Sequence, residues 1–209
     1  MIPSLEILDA QTTHLGDLVL RRRTIPALEN EEIYEVKLGE EFLMSSLFPE
    51  AEKELAHLGL AKFDQGNLDI IVGGLGLGYT AAAALEHSNV ASLVVVELFP
   101  QVIEWHEKGL VPVGSVLSGD ERCHLIAQDF FAAAVDKTIG MDPRNPGKQF
   151  HAVLLDIDHT PSHQLADENA GFYFQAGLSA MAEQILPGGV FGLWSDAAPD
   201  AAFKELLAS

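Results

Sequence analysis

Residues 68–78 read Leu-Asp-Ile-Ile-Val-Gly-Gly-Leu-Gly-Leu-Gly, and this segment carries the clearest signal of the fold class. A short apolar run that ends in glycines is typical of a buried strand entering a tight turn. Glycines at this point let the backbone approach a ligand closely, with the N-terminus of the next helix behind it. Gly74, Gly76 and Gly78 have the spacing G-x-G-x-G, whereas the dinucleotide fingerprint needs a glycine where this chain has Tyr79. The segment therefore predicts a strand, a ligand-binding loop and a helix, without a complete dinucleotide motif.

Strand and helix patterns alternate from this segment to the end of the chain. Further apolar runs, at 91–96, 123–127, 151–155 and 190–194, predict four more strands. Helical patterns lie between and after the strands, at 79–87, 100–108, 130–135, 170–186 and 199–207. Such alternation predicts an α/β fold, with a Rossmann-like, doubly wound, mostly parallel sheet and helices on both of its faces. We assign residues 67–209 to this domain.

The first part of the chain follows other patterns. Residues 1–48 contain short alternating runs separated by glycine or aspartate, which predicts a small region of β-hairpins. Residues 49–66 predict a connecting helix. Pro49 suits a first helical turn, and the acidic residues Glu50, Glu52 and Glu54 suit the positive end of the helix dipole.

Length, charge and cysteine content exclude several classes of protein. The 209 residues are enough for one domain with a small appendage, and 48% of them are hydrophobic, which excludes a disordered chain. Twelve basic residues against 31 acidic ones give a net charge of −19, so we expect neither a nucleic-acid nor a membrane partner. The single cysteine, Cys123, excludes a disulfide framework. Without a signal-like or membrane-spanning run, we expect a cytoplasmic protein.

Acidic residues follow the second and third predicted strands. Glu97 lies 21 positions after Gly76, where a carboxylate can accept both hydroxyls of a ribose. Asp129 precedes Phe130, and this pair has two interpretations. The carboxylate and the ring can bind the amino group and the face of an adenine, or Asp129 can cap the helix that follows.

These features together resemble the class I S-adenosylmethionine-dependent methyltransferase fold, and more narrowly its spermidine synthase (polyamine aminopropyltransferase) branch. The hairpins of residues 1–48 are like those that precede the nucleotide domain in that family. Residues 70–74 and 94–97 are similar to its glycine-entering strand and its ribose-binding strand end. Residues 154–161, Leu-Leu-Asp-Ile-Asp-His-Thr-Pro, followed by Phe172 and Tyr173, are similar to its Asp-rich catalytic loop and the Phe-Tyr helix after it.

The resemblance implies a transferase whose co-substrate is S-adenosylmethionine or its decarboxylated form, and it makes 67–209 a nucleoside-binding catalytic domain. The residues implied to contact the co-substrate are Gly73, Gly74, Gly76, Gly78, Glu97, Asp129 and Phe130. The residues implied to act in catalysis are Asp156, Asp158 and Tyr173, with His159 as a substrate-binding residue. The implied acceptor is a small cationic amine.

The fourth strand end carries the candidate chemistry. Transfer of an alkyl group to an amine requires a positioned nucleophile and a group that takes its proton, and carboxylates do both. By position, Asp156 is the best candidate. Three other interpretations are open: Asp156 caps a turn, Asp158 and His159 form a solvated loop pair, or Asp156, Asp158 and His159 bind a divalent metal. We expect no metal.

Departures from the family pattern leave three functions open. Gly76 replaces the aspartate of the family's glycine loop, and Asp156 and Asp158 are two apart instead of three. Methyltransferases usually carry an acid where this chain has Val72. We predict a spermidine synthase-like transferase, with a small-molecule methyltransferase and a non-catalytic nucleoside-binding protein as alternatives. We also expect the sheet to lack the last antiparallel strand pair, and the hairpins to support a homodimer.

Overall fold

Two sheets form the core of the chain in the computed structural model, which describes residues 5–64, 66–157, 160–198 and 200–208. One sheet is antiparallel and has four strands, and the other is parallel and has five. Within the described residues, no helix has the length and apolar character needed to cross a membrane. The α/β, Rossmann-like fold class predicted from the sequence is confirmed.

The elements follow one another along the chain as a group of hairpins and then as alternating strands and helices. The strands are β1 (Leu5–Thr13), β2 (Gly16–Ile25), β3 (Glu31–Leu38), β4 (Glu41–Ser45), β5 (Leu68–Gly73), β6 (Val90–Glu97), β7 (Cys123–Ala127), β8 (Phe150–Leu155) and β9 (Ile185–Leu193). The helices are α1 (Glu50–Leu60), α2 (Tyr79–Leu85), α3 (Pro100–Glu107), α4 (Gly114–Gly119), α5 (Phe130–Val135), α6 (Gln175–Ala182) and α7 (Ala201–Leu207), with 3-10 turns at Pro26–Leu28 and Asp167–Tyr173.

The N-terminal sheet is an antiparallel meander in the order β1-β2-β3-β4. Apolar side chains that alternate along β2 and β3 are fully buried on one face, among them Leu18, Leu20 and Val36. These side chains belong to the same hydrophobic core as β5 and β6. The hairpin region therefore packs onto the parallel domain and contributes one wall of the space between them.

The parallel sheet has the strand order β7-β6-β5-β8-β9. Its central strands are buried on both faces, with Ile70, Ile71, Val94 and Val153 fully enclosed. The chain leaves β5 toward one side for β6 and β7 and crosses back to place β8 and β9 on the other. Open α/β sheets bind ligands outside the carboxyl ends of their strands where this reversal occurs. Here that place lies between the ends of β5 and β8.

The C-terminal part of the domain departs from the predicted helix boundaries. The helix expected at 170–186 is a 3-10 turn (Asp167–Tyr173) followed by the shorter α6. The last strand begins at Ile185, ahead of the glycines, because Ile185 pairs with Phe150 before a register shift. In the described part of the chain, no antiparallel strand joins the parallel sheet, whose outer strands are β7 and β9.

Candidate functional site

A cavity of about 400 Å³ opens between the N-terminal sheet and the carboxyl edge of the parallel sheet. Its apolar wall contains side chains from β2, β3, β4, α3 and α5, from the loop between β1 and β2, and from the segments that follow β5, β6, β8 and β9. The side chains of this wall are Leu15, Leu18, Val36, Leu38, Leu43, Met44, Leu75, Leu98, Phe99, Val102, Phe131, Ile157, Leu165, Ala166 and Trp194. Its polar side chains are His14, Glu52, Glu97, Asp129, Asp156, Glu168 and Asn169.

The glycine loop reaches the cavity through two of its four glycines. Gly74 and Gly76 line the cavity, and both have a positive φ, of 93° and 47°. A Cβ on Gly74 would overlap the carbonyl oxygen of Asp156, so only glycine lets the ends of β5 and β8 approach this closely. Gly73 packs against the Phe130 ring. Gly78, which directly precedes α2, packs against His106 of α3. Gly73 and Gly78 therefore support the loop through these contacts and do not line the cavity.

Glu97 holds the glycine loop from the end of β6. Its Oε2 accepts the N–H of Leu75 and its Oε1 accepts the N–H of Phe99, both across 2.9 Å. Burial raises the pKa of Glu97, and the backbone N–H groups of Phe99, Leu75, Gly76 and Leu98 act in the opposite direction. The side chain is 8% exposed and lines the cavity. A carboxylate oxygen accepts more than one hydrogen bond, so both oxygens keep capacity for a ligand hydroxyl.

The Asp129–Phe130 pair separates in the structure. Oδ1 of Asp129 accepts the N–H groups of Phe131 and Ala132, at 2.8 Å and 3.2 Å, and caps α5. Asp129 nevertheless lines the cavity. The Phe130 ring is buried against Gly73, while the ring that lines the cavity belongs to Phe131. This exchange occurs because the first helical turn directs neighbouring side chains to different faces.

Asp156 lies in the cavity wall at the end of β8 and is tied to α2. Its Oδ2 accepts a hydrogen bond of 2.6 Å from the Thr80 hydroxyl, which also lies 3.1 Å from the carbonyl oxygen of Glu52. Burial raises the pKa of Asp156 to about 7, the Thr80 hydrogen bond opposes this rise, and the charge of Glu52 adds to it. The carboxyl is therefore poised to exchange a proton near neutral pH.

The Thr80 hydroxyl accommodates both protonation states of Asp156. When Asp156 is ionised, the hydroxyl donates its one hydrogen bond to the carboxylate. When Asp156 is protonated, the carboxyl can donate to the hydroxyl oxygen, and the hydroxyl proton can go to the Glu52 carbonyl. The side chain of Asp156 can thus gain and lose a proton without leaving a buried polar group unsatisfied.

Glu52 is a site residue that the sequence pattern did not single out from its neighbours. Its side chain is 8% exposed and lines the cavity, and Oε2 is buried without a hydrogen-bond partner. Burial raises the pKa of Glu52, and the charge of Glu50 adds to the rise. Glu50 and Glu54 are exposed on α1. Since residues 50 and 54 share a helix face and residue 52 lies on the other, helical spacing was the signal available.

The remaining predicted site residues lie elsewhere or outside the described residues. Tyr173 is 5% exposed, packs on the rings of Phe131, Phe172 and Phe203, and does not line the cavity. Asp158 and His159 lie outside the described residues. Trp194, at the end of β9, lines the cavity, and its Nε1–H is buried without a hydrogen-bond partner.

The described residues bring no three His, Cys, Asp or Glu side chains together in a metal-binding arrangement. The orphaned atoms at the cavity are instead one carboxylate oxygen and one indole N–H, on Glu52 and Trp194. An organic ligand that carries both a donor and an acceptor fits this pair.

Two solved structures with the same architecture are spermidine synthases. A spermidine synthase in complex with the transition state analogue AdoDATO matches with a TM-score of 0.66 and 16% sequence identity, over 90% of this chain and 57% of that chain. Spermidine synthase from Thermotoga maritima matches with a TM-score of 0.65 and 15% identity, over 90% of this chain and 55% of that one. The chain therefore spans a little over half the length of these enzymes.

No family model matches this sequence. The likeness to the two solved structures covers the N-terminal hairpins together with the parallel domain, since nine-tenths of the chain is included. The resemblance noted in the sequence is thus matched in three dimensions, and the chain has the spermidine synthase-like form of the class I methyltransferase fold.

Proposed function

We propose that this protein is a spermidine synthase-like transferase, which moves an alkyl group from a nucleoside sulfonium to a small cationic amine. The observation that carries the proposal is a pair of carboxyl groups that face one cavity: that of Glu52, which is buried, and that of Asp156, which is half-buried. Among the cavity-lining residues that the structure describes, none is a lysine or arginine. Buried carboxylates without a cationic partner are unfavourable, and an ammonium ligand supplies that partner.

The other end of the cavity suits the nucleoside. Gly74 and Gly76 permit close approach, Glu97 offers two carboxylate oxygens for ribose hydroxyls, and Phe131 and Asp129 offer a ring face and an acceptor for an adenine. In this arrangement Phe131 takes the role that the sequence suggested for Phe130. We retain Asp156 as the catalytic residue and add Glu52 as the residue that binds the amine.

The chemistry at Asp156 is a proton transfer that accompanies displacement at carbon. The amine enters as an ammonium ion, attracted by Glu52 and Asp156, and gives one proton to the Asp156 carboxylate. The freed nitrogen lone pair forms a bond to the carbon next to the sulfonium sulfur. The carbon–sulfur bond breaks, and its electron pair stays on sulfur as a neutral thioether. The product leaves as an alkylated ammonium ion, and Asp156 releases its proton to solvent.

Methyl transfer is the second candidate, because one position favours it. Gly76 lies beside the cavity where the resemblance to spermidine synthases leads one to expect an aspartate for the aminopropyl arm. Without that carboxylate, an arm that ends in an amine has one binding group fewer at the loop. The proton chemistry proposed for Asp156 is the same for both reactions.

Calorimetric titration of the full chain with S-adenosylmethionine, its decarboxylated form and methylthioadenosine tests the proposal. We expect the nucleoside thioether and one or both sulfonium compounds to bind, and turnover with a diamine or polyamine to fall by about a hundredfold or more in Asp156→Asn. Tighter binding of the decarboxylated form favours aminopropyl transfer. Binding of none of the three overturns both enzymatic functions. Binding without turnover of any amine leaves the non-catalytic nucleoside-binding protein as the correct alternative.

A further inference from the structure

A methionine of the N-terminal sheet contacts the glycine loop of the parallel domain. Sδ of Met44, on β4, accepts the backbone N–H of Leu77 across 3.0 Å. A Cβ on Gly76 would overlap Sδ, which means that the thioether lies directly over that glycine. Met44 also lines the cavity. The Met44 side chain, which belongs to the N-terminal sheet, therefore covers the glycine loop at the point where the loop lines the cavity.

The neighbouring N–H groups of the loop already have stronger acceptors within the chain. Gly74 donates to the carbonyl of Val96 across 2.9 Å, Leu75 donates to Glu97 across 2.9 Å, and Gly78 donates to the carbonyl of Leu75 across 2.7 Å. A thioether sulfur is a weak acceptor. The N–H of Gly76 faces the Glu97 carboxylate. Among these loop donors, the N–H of Leu77 therefore has the weakest acceptor, and a ligand that competes for it must displace Met44.

The charges around the cavity determine how a ligand that carries a carboxylate can bind, and they make the Leu77 N–H important for its binding. The cavity is lined by the carboxyl groups of Glu52, Glu97, Asp129, Asp156 and Glu168. Since its described lining contains neither lysine nor arginine, a ligand carboxylate finds no permanent positive charge there. At the glycine loop it can reach the N–H of Leu77 only by displacing the Met44 thioether. The unpaired indole N–H of Trp194 lies at the end of β9, two strands away from that loop.

We propose that Met44 is a specificity-determining residue, whose thioether closes the glycine loop to co-substrates that carry a carboxylate on the sulfonium arm. This inference rests on the proposed function. An arm that ends in an amine has no use for the Leu77 N–H and packs beside the thioether. An amino-acid arm must expel the thioether from the loop before its carboxylate is bound. Met44 accordingly selects the decarboxylated nucleoside sulfonium.

The test compares dissociation constants for S-adenosylmethionine and its decarboxylated form by calorimetry, in the full chain and in two Met44 variants. Both variants remove the thioether and shorten the side chain. Met44→Ala leaves a single methyl group, whereas Met44→Val keeps a β-branched residue that suits a strand. In both variants the Leu77 N–H is free, so the preference for the decarboxylated form should fall by about tenfold or more, as expected for one hydrogen bond to a charged group. The affinity for methylthioadenosine, which has no such arm, should stay nearly constant.

Leu43→Ala is the matched control, because Leu43 lies next to Met44 on β4 and lines the same cavity without holding the loop N–H. It enlarges the cavity and should leave the preference unchanged. The role of Met44 alone is overturned if the folded Met44 variants bind methylthioadenosine but keep an unchanged preference for the decarboxylated form. It is also overturned if Leu43→Ala changes that preference by an equal amount. If the unmodified chain binds none of the three nucleosides, the proposed function and this inference are overturned together.

Discussion

The Thr80 hydroxyl lies 2.6 Å from Oδ2 of Asp156 and joins the first helix of the parallel domain to the end of β8. This hydrogen bond lowers the pKa of Asp156 against the larger, opposite effect of burial. The balance between the two decides at which pH the carboxyl can accept a proton. Residues on two different elements therefore set the protonation of the group that we propose as the catalytic base.

Removal of the Thr80 hydroxyl should shift the pH dependence of the reaction. In Thr80→Val, Asp156 loses the hydrogen bond that lowers its pKa, so the pKa rises above its value of about 7. Because the base must be ionised, the acid limb of kcat/KM should move to higher pH. Thr80→Ser keeps a hydroxyl and should keep the midpoint of the unmodified chain. An unmoved midpoint in Thr80→Val would contradict the coupling.

Asp156→Asn should lower kcat by about a hundredfold or more and at the same time stabilise the ligand-free fold at alkaline pH. The pKa of Asp156 is raised from 3.8 to about 7, so the folded state binds a proton that the unfolded state has released between these values. The unmodified chain therefore loses stability as pH rises through this window, and asparagine does not. The advantage of the variant in free energy of unfolding should grow by about 2–3 kcal/mol from pH 5 to pH 8.

Urea denaturation at the two pH values measures this difference. Glu54→Gln, which changes an exposed carboxyl on α1, serves as the control and should track the unmodified chain at both. If Asp156→Asn gains nothing between pH 5 and pH 8, the surroundings of the Asp156 carboxyl do not raise its pKa in the folded chain. In rate, loss of a general base should lower kcat by about a hundredfold or more.

Glu97→Gln should weaken both the fold and nucleoside binding. Each oxygen of Glu97 accepts a backbone N–H, from Leu75 and from Phe99, so an amide NH₂ in either place would set a donor against a donor. An unsatisfied buried donor costs about 1–3 kcal/mol in the free energy of unfolding. Chemical denaturation and calorimetry with methylthioadenosine test the two effects. Glu104→Gln, at a half-exposed carboxyl of α3, should change the stability by less than about 0.5 kcal/mol.

Much of the fold followed from local patterns in the sequence. The glycine loop after Val72 and the strand that ends at Glu97 carry short-range signals, because a buried parallel strand reads as a continuous apolar run and its exit as glycine or acid. The C-terminal boundaries were harder. The strand β9 begins at Ile185 because of a pairing with Phe150, and such a pairing leaves no local trace.

The site was predictable where a residue ends a strand, and it was missed where another element supplies the side chain. Gly74, Gly76, Glu97, Asp129 and Asp156 all line the cavity, as the carboxyl edge of a parallel sheet requires. Met44 and Glu52 reach it from the hairpins and from α1. The position of Met44 depends on how the N-terminal sheet packs, which no periodicity in the sequence specifies. For Glu52, the spacing along α1 separates its face from that of Glu50 and Glu54, but it does not show which face meets the cavity.

Gly74→Ala should destabilise the chain far more than alanine at another glycine with positive φ. Gly74 has a φ of 93°, and a Cβ there would overlap the backbone carbonyl of Asp156, which cannot rotate away. Gly39 has a φ of 57° with no atom within 4 Å of its Cβ position, so Gly39→Ala carries only the backbone strain, about 1–2 kcal/mol. Thermal unfolding of the two variants separates the cost of the steric overlap at Gly74 from the cost of backbone strain, which both variants carry. Equal losses would mean that the close approach of β5 and β8 is absent in solution.

Tryptophan fluorescence should report nucleoside binding through Trp194 alone. The chain contains two tryptophans. Trp194 lines the cavity with its indole N–H unpaired, while Trp105 is 1% exposed, donates to Asp9 across 2.7 Å and does not line the cavity. Saturation with methylthioadenosine should therefore change the emission of the unmodified chain and of Trp105→Phe. The change should vanish in Trp194→Phe, whereas a change that is lost in Trp105→Phe would contradict ligand binding beside Trp194.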